Sequence, residues 1–249
     1  MVTIIQKTYL YIGFFIFGLF MLAVFPFVGL AHFLLPVRVA EQVKLWCMKF
    51  WASSFYTFGV WFVHKGTNQA QAHWPNGPVI VVANHNSLLD TPAIYLALKR
   101  FALPLAKVEL TRMPIFGHLN KWITLPVNRK SAASKQQVME TMHKRLLGGG
   151  SLLIFPEGRM NKGKSPIQPF ESGAFRLSHE LGVPIVTMLV FNTRYCLAGT
   201  SPLILRPGIV TTVAGPVFLP NEFSGPLEMQ KAVFQWYESR LGALTEVVA

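Results

Sequence analysis

The sequence predicts an α/β protein: a mixed, largely parallel central sheet flanked by helices, with an N-terminal membrane-embedded helical unit. Three observations carry this expectation. No charged residue occurs from Thr8 to Val37, a stretch longer than the roughly 20 apolar residues a helix needs to cross hydrocarbon. From about residue 75, short apolar runs alternate with helical patterns, the arrangement of strands covered by helices. Only 14% of residues are charged and 51% are hydrophobic, whereas an ordinary soluble domain is roughly 25% charged.

The elements follow in order. The first apolar stretch exceeds the roughly 7–15 residues of a secretory signal's apolar region, and Pro26 is a candidate kink because it removes a backbone donor. Arg38, Lys44, Lys49 and Lys65 come next, with only Glu41 opposing them. That basic flank predicts a membrane-associated protein whose following domain faces the cytoplasm. A second apolar run, "FWASSFYTFGVWFV" from Phe50 to Val63, is short for a span, and its Trp and Tyr suit the membrane interface. Residues 1–65 therefore read as a membrane-docking helical segment, either one span plus an interfacial helix or two helices in one leaflet. Residues 66–249 read as the α/β domain.

Within that domain "PVIVVAN" (78–84), "LPLAKV" (103–108), "ITLPV" (123–127), "SLLIF" (151–155), "PIVTMLVF" (184–191) and "GIVTTVAG" (208–215) read as strands. Helices are predicted at 87–98, 111–122, 131–147, 171–181 and 227–243. The helix at 131–147 carries Val138, Met142 and Leu146 at i, i+4, i+8 and stops at three glycines.

The 23 Lys and Arg against 11 acids give a formal charge of +12, which favours anionic partners such as lipid headgroups or acidic carriers. Nucleic acid is set aside, because no aromatic-and-basic recognition motif or zinc-finger spacing occurs. Cys47 and Cys196 are too few for a disulfide framework or a cysteine-based metal site. Ten of the acids are Glu and one is Asp, at Asp90, so a mechanism that needs paired aspartates is excluded.

Residues 158–165 match the phosphate-loop pattern G-x-x-x-x-G-K-[ST] after a strand. Such a loop needs a helix starting at the Gly-Lys-Ser, so that amides face the phosphates. Here "PIQPF" follows, Glu157 precedes the loop, and no Asp lies downstream to hold Mg²⁺. The match is accidental.

Two stretches look chemical. In "ANHNSLLDTP" (83–92), His85 and Asp90 would lie about 140° apart on a continuous helix. With His85 in a strand-end turn and Asp90 in the first helical turn, the carboxylate can instead fold back to the imidazole and fix its tautomer. The competing reading makes "SLLD" a capping sequence, with Asp90 bonded to backbone at the helix start. In "FPEGR" (155–159), Glu157 and Gly158 can orient a polar group or offer amides to an oxyanion; otherwise this is an ordinary turn. Lys107 and Arg129 are strand-end cations that can clamp a phosphate or simply be solvated.

Together these motifs resemble the glycerolipid acyltransferases of the 1-acylglycerol-3-phosphate acyltransferase type. "NHNSLLD" looks like their H-x-x-x-x-D block, "PVNR" their second, "FPEGR" their third and "VPIVTM" (183–188) their fourth, over roughly residues 75–215. The chain departs at Arg159 and Met160, where F-P-E-G-T-R is usual, and at Asn128, where Asp is common.

The resemblance implies that His85, oriented by Asp90, deprotonates an acceptor hydroxyl as it attacks an acyl thioester, with no metal and no cofactor. It also implies that Arg129, Lys107 and Arg159 hold the acceptor's phosphate while Glu157 and Gly158 orient the acceptor or support the oxyanion. The implied partners are membrane lipids, a lysophospholipid acceptor, and an acyl-carrier protein or acyl-coenzyme A donor. Another lysolipid acceptor, such as lyso-ornithine lipid, and a non-catalytic anionic-lipid-binding protein are the alternatives.

Overall fold

The computed structural model describes residues 4–113, 116–198 and 204–248. The chain opens with two helices, α1 (Ile4–Leu34) and α2 (Val37–Ser53), and a short 3-10 turn. Then come β1 (Val60–Lys65), α3 (Thr67–Ala72), β2 (Ile80–Ala83), α4 (Asp90–Ala97), β3 (Ala102–Lys107), α5 (Phe116–Ile123) and β4 (Leu125–Val127). The second half runs α6 (Ala132–Leu147), β5 (Ser151–Ile154), α7 (Gly173–Leu181), β6 (Ile185–Phe191), α8 (Thr193–Cys196), β7 (Gly208–Phe218) and α9 (Pro226–Val248).

The seven strands form one sheet in the order β1-β7-β6-β2-β5-β3-β4. β6, β2, β5, β3 and β4 are mutually parallel; β7 runs antiparallel to β6 and parallel to β1. This is the mixed, mostly parallel sheet the alternating pattern predicts. Successive side chains of β2 serve two cores, as a strand's two-residue period dictates. Val81 and Ala83 join the core beneath α1, α2 and α4, whereas Ile80 and Val82 join that of α6, α7 and α9. Helix α6 begins where Ser131 accepts the Ser134 amide, an N-cap that satisfies an otherwise orphaned donor.

The second apolar run divides differently from a single interfacial helix. Gly59 takes φ 61° and ends the 3-10 turn, and Val60–Lys65 then pairs with β7. The sheet thus begins before residue 66. The strand escapes detection because both of its faces are apolar: Val60 and Phe62 point inward while Trp61 and Val63 are exposed. Pro26 does not divide α1, which continues past it to Leu34.

α1 lies along the domain instead of standing clear of it. Tyr9 donates to the Phe58 carbonyl at 2.6 Å, Phe17 meets Trp51 edge-on, and Phe25 and His32 pack on Trp122 of α5. Its other side exposes Phe14, Phe15, Leu22, Phe27, Leu30 and Phe33. Arg145 on α6 holds α2 to the domain through Glu41 (2.7 Å) and also donates to the Ser151 carbonyl.

β2 stops at Ala83, yet its pairing with β6 does not. The buried Asn84 side chain accepts the Val190 amide and donates to the Val190 carbonyl, both at 2.8 Å. A side-chain amide thereby replaces a backbone rung and frees the main chain to turn toward residue 85. Asn84→Ala would orphan both buried groups of Val190, and we expect a loss of about 2–4 kcal/mol in denaturant unfolding. A loss below about 1 kcal/mol would show that this rung is dispensable.

Candidate active site

The turn after β2 and the turn after β5 meet at the carboxyl ends of neighbouring parallel strands, where open α/β sheets place ligands. His85 sits in the first turn, and Asp90 opens α4. Asp90 Oδ2 accepts His85 Nδ1 at 2.9 Å, together with the amides of Asn86 (2.6 Å) and Ser87 (2.7 Å). Asp90 Oδ1 accepts the Thr193 hydroxyl at 2.6 Å. The capping and imidazole-orienting readings of Asp90 are therefore both realised by one carboxylate. Its side chain is fully buried, a position tolerable only because both oxygens are bonded.

With Nδ1 donating to Asp90, the imidazole keeps its lone pair on Nε2. The ring's face lies on Phe155, with centroids 4.2 Å apart and planes 20° apart. Asp90 fixes the ring's edge and Phe155 its plane, while 16% of the side chain stays accessible. That leaves a held imidazole that is still partly accessible.

The second turn is bonded to the first. Glu157 is buried; its Oε1 accepts the His85 amide at 2.7 Å and its Oε2 the Gln168 amide at 2.9 Å. Burial pushes this carboxyl up to about 7 against the opposing pull of those two backbone bonds. Gly158 takes φ 68°, and its amide donates to the Phe155 carbonyl at 3.0 Å. A Cβ there would also stand 3.1 Å from Glu171, so the turn requires glycine. Glu157 and Gly158 thus spend these groups on holding the site's shape. Asn161 closes the ring by donating its amide to the His85 carbonyl at 2.7 Å.

The predicted cations are more dispersed. Arg159 is exposed and donates to the Gln168 side chain at 3.1 Å. Lys107 ends β3, opposite Val127 of β4, and Arg129 lies two residues beyond that strand. Along the sheet edge β3 and β4 come after β5, so these residues stand progressively farther from His85, at about 4.8 Å per strand. Arg129 is half-buried; burial lowers its pKa and the Glu109 carboxylate counters this. Asn128 accepts the Lys130 amide at 3.1 Å, a turn role its side-chain oxygen fills as an Asp would. Residues 158–165 form a loop, and the next helix begins only at Gly173, so Lys164 and Ser165 do not head a phosphate-binding helix.

Sequence reasoning missed Thr193, Phe155 and Asn84 as parts of the site. Thr193 lies 103 residues from Asp90 and reaches it only because β6 pairs with β2. Its turn is set by Asn192, the one non-glycine residue at positive φ (65°) among the described residues. Among the described residues, no group of three His, Cys, Asp or Glu side chains converges as a metal site.

Comparison with known proteins gives a consistent picture. The solved structure of the 1-acyl-sn-glycerophosphate (LPA) acyltransferase PlsC from Thermotoga maritima superimposes with a TM-score of 0.82, covering 98% of both chains at 22% identity. A chloroplastic 1-acyl-sn-glycerol-3-phosphate acyltransferase of Brassica napus is 27% identical over 77% of this chain and 55% of its own length. The human 1-acyl-sn-glycerol-3-phosphate acyltransferase alpha is 31% identical over 57% of this chain and 50% of its own. The chain spans about half the length of the curated relatives it matches. The family model named Acyltransferase matches residues 62–190, more than half of the chain and the whole His85–Asp90–Glu157 constellation. The chain belongs to the acyltransferase family.

Proposed function

We propose that this protein moves a fatty acyl group from a thioester to the free hydroxyl of 1-acyl-sn-glycerol-3-phosphate, giving phosphatidic acid for phospholipid synthesis. The observation that carries this reading is the His85–Asp90 pair, with Nδ1 committed and Nε2 free beside an accessible turn. His85 Nε2 takes the hydroxyl proton as that oxygen attacks the thioester carbonyl. The C–O bond forms, the C–S bond breaks, and the proton passes from the imidazolium to the leaving thiolate. Such a base supplies about 10²–10⁴-fold, and positioning supplies the remainder. The names of the relatives support the acceptor class, and a formal net charge of +12 suits an anionic acyl-carrier protein or acyl-coenzyme A.

Membrane association belongs to the same reading. α1 touches the domain from Tyr9 to His32, about 35 Å of helix at 1.5 Å per residue. Standing that helix across a bilayer would drag α5 and the 3-10 turn into hydrocarbon. We therefore read α1 and α2 as lying in one leaflet, with their exposed aromatic faces toward lipid and the domain on the cytoplasmic side.

Purified protein given lysophosphatidic acid and an acyl donor should form phosphatidic acid; a panel in which lyso-ornithine lipid is preferred would overturn the acceptor assignment. His85→Ala should lower turnover at least about a hundredfold without impairing folding or membrane binding. Lys164→Ala, ruinous to a phosphate loop, should leave the rate within about twofold, and a tenfold drop would restore the nucleotide reading. For the membrane reading, cysteines introduced at Thr8 and Val37 should both label with an impermeant maleimide from the same side of sealed vesicles. Labelling from opposite sides would make α1 a span.

A further inference from the structure

Beside the His85 turn lies a cavity of about 310 Å³ lined by Asn86, Met160, Asn161, Lys162, Arg194, Ala198 and Arg206. Three cations line it and, among the described residues, no acid does. It adjoins the catalytic turn directly, because Asn86 follows His85 in the chain and Asn161 donates to the His85 carbonyl. We propose that this cavity is a phosphate-ester subsite for one of the two acyl-transfer substrates, with Arg206 and Lys162 as its anion-binding residues. The inference deepens, and rests on, the acyl-transfer reading.

The three cations divide by what they already bond. Arg194 is committed: its guanidinium donates to the Gly163 carbonyl at 2.8 Å and to the Asn161 carbonyl. It shapes the wall formed by residues 161–163, which Asn161 tightens by accepting the Gly163 amide. Arg206 is poised, not spent. It lies over the Tyr195 ring, 5.6 Å from the centroid, with one long contact of 3.4 Å to the Tyr195 carbonyl. Stacking orders the guanidinium while leaving most of its donors unused, the state in which Arg binds an oxyanion with little entropy loss. Lys162 is exposed and has no side-chain partner among the described residues.

Uncompensated positive charge in a concave, partly walled site concentrates anions. Both substrates of the proposed reaction carry one: the acceptor a phosphate monoester, the donor the phosphates of coenzyme A or of a carrier's phosphopantetheine arm. Arg194 and Arg206 come from the β6 and β7 end of the sheet, and the loop after β5 that carries Lys162 is bonded to Arg194, whereas Lys107 and Arg129 lie at the ends of β3 and β4. The cavity is thus a second cationic cluster, separate from Lys107 and Arg129, beside the turn that carries His85.

Steady-state kinetics on the full chain, with lysophosphatidic acid as acceptor and acyl-coenzyme A or acyl-carrier protein as donor, tests this. Arg206→Gln and Lys162→Ala should each raise the KM of one substrate about tenfold, leaving kcat and the other KM within about twofold. A rise confined to the donor assigns the cavity to the donor's phosphate; one confined to the acceptor assigns it to the acceptor's. Lys231→Gln, which removes an exposed cation from α9, should move neither value. Lys162 is solvent-exposed, so its variant reports on binding even if Arg206→Gln folds poorly. Both KM values unchanged in the double variant would overturn the proposal. If the wild type turns over neither donor, the acyl-transfer reading fails by itself. Calorimetric binding of coenzyme A and of lysophosphatidic acid then decides the cavity: about tenfold weaker binding of one ligand by the double variant supports it, and equal affinities overturn it.

Discussion

The chain's single aspartate gathers four donors on two oxygens: an imidazole nitrogen, two amides of its own turn and a hydroxyl from the far side of β6. A carboxylate buried this deeply is costly unless fully bonded, so every element that supplies a donor is constrained by the others. The turn must close at Asn86 and Ser87, α4 must begin at Asp90, and β6 must deliver Thr193. The pairing of Ala83 with Met188 fixes that delivery through the sheet register. What the fold receives in return is one imidazole in one tautomer, its ring plane set by Phe155.

The same end of the molecule is joined to its greasy unit. α2 packs against α4, the helix that Asp90 begins, and Arg145 clamps α2 to α6 through Glu41. The apolar faces of α1 and α2 therefore cannot reorient without moving the helix that carries Asp90. Under the proposed membrane-bound acyl transfer, this coupling would hold His85 at a fixed height relative to the lipid surface.

Much of this arrangement was legible in residue patterns. "NHNSLLD" supported both a cap and an imidazole-orienting carboxylate, and one Asp90 side chain performs both tasks because its Oδ2 accepts the imidazole and the two turn amides together. "PIVTMLVF" read as a buried strand, and nearly every residue of β6 is buried. What was not legible is long-range or masked by composition. Nothing near Thr193 signals a partner 103 positions away. β1 hid within an apolar run because its outward residues, Trp61 and Val63, are as apolar as its inward ones. The direction of β7 left no trace, since short strands of either sense share the same periodicity. The cations of the cavity beside the His85 turn were passed over because Lys162, Arg194 and Arg206 are scattered in sequence and only the fold assembles them.

The proposed proton transfer depends on the tautomer that Asp90 imposes. Imidazole ¹⁵N NMR of the full chain, with His85 assigned by comparison with His85→Gln, reads it directly in the neutral ring. The account predicts a proton on Nδ1 and a bare Nε2, the reverse of the form free histidine prefers in water. A protonated Nε2 with a bare Nδ1 would contradict it, because the side chain would then have no lone pair where the acceptor hydroxyl must give up its proton.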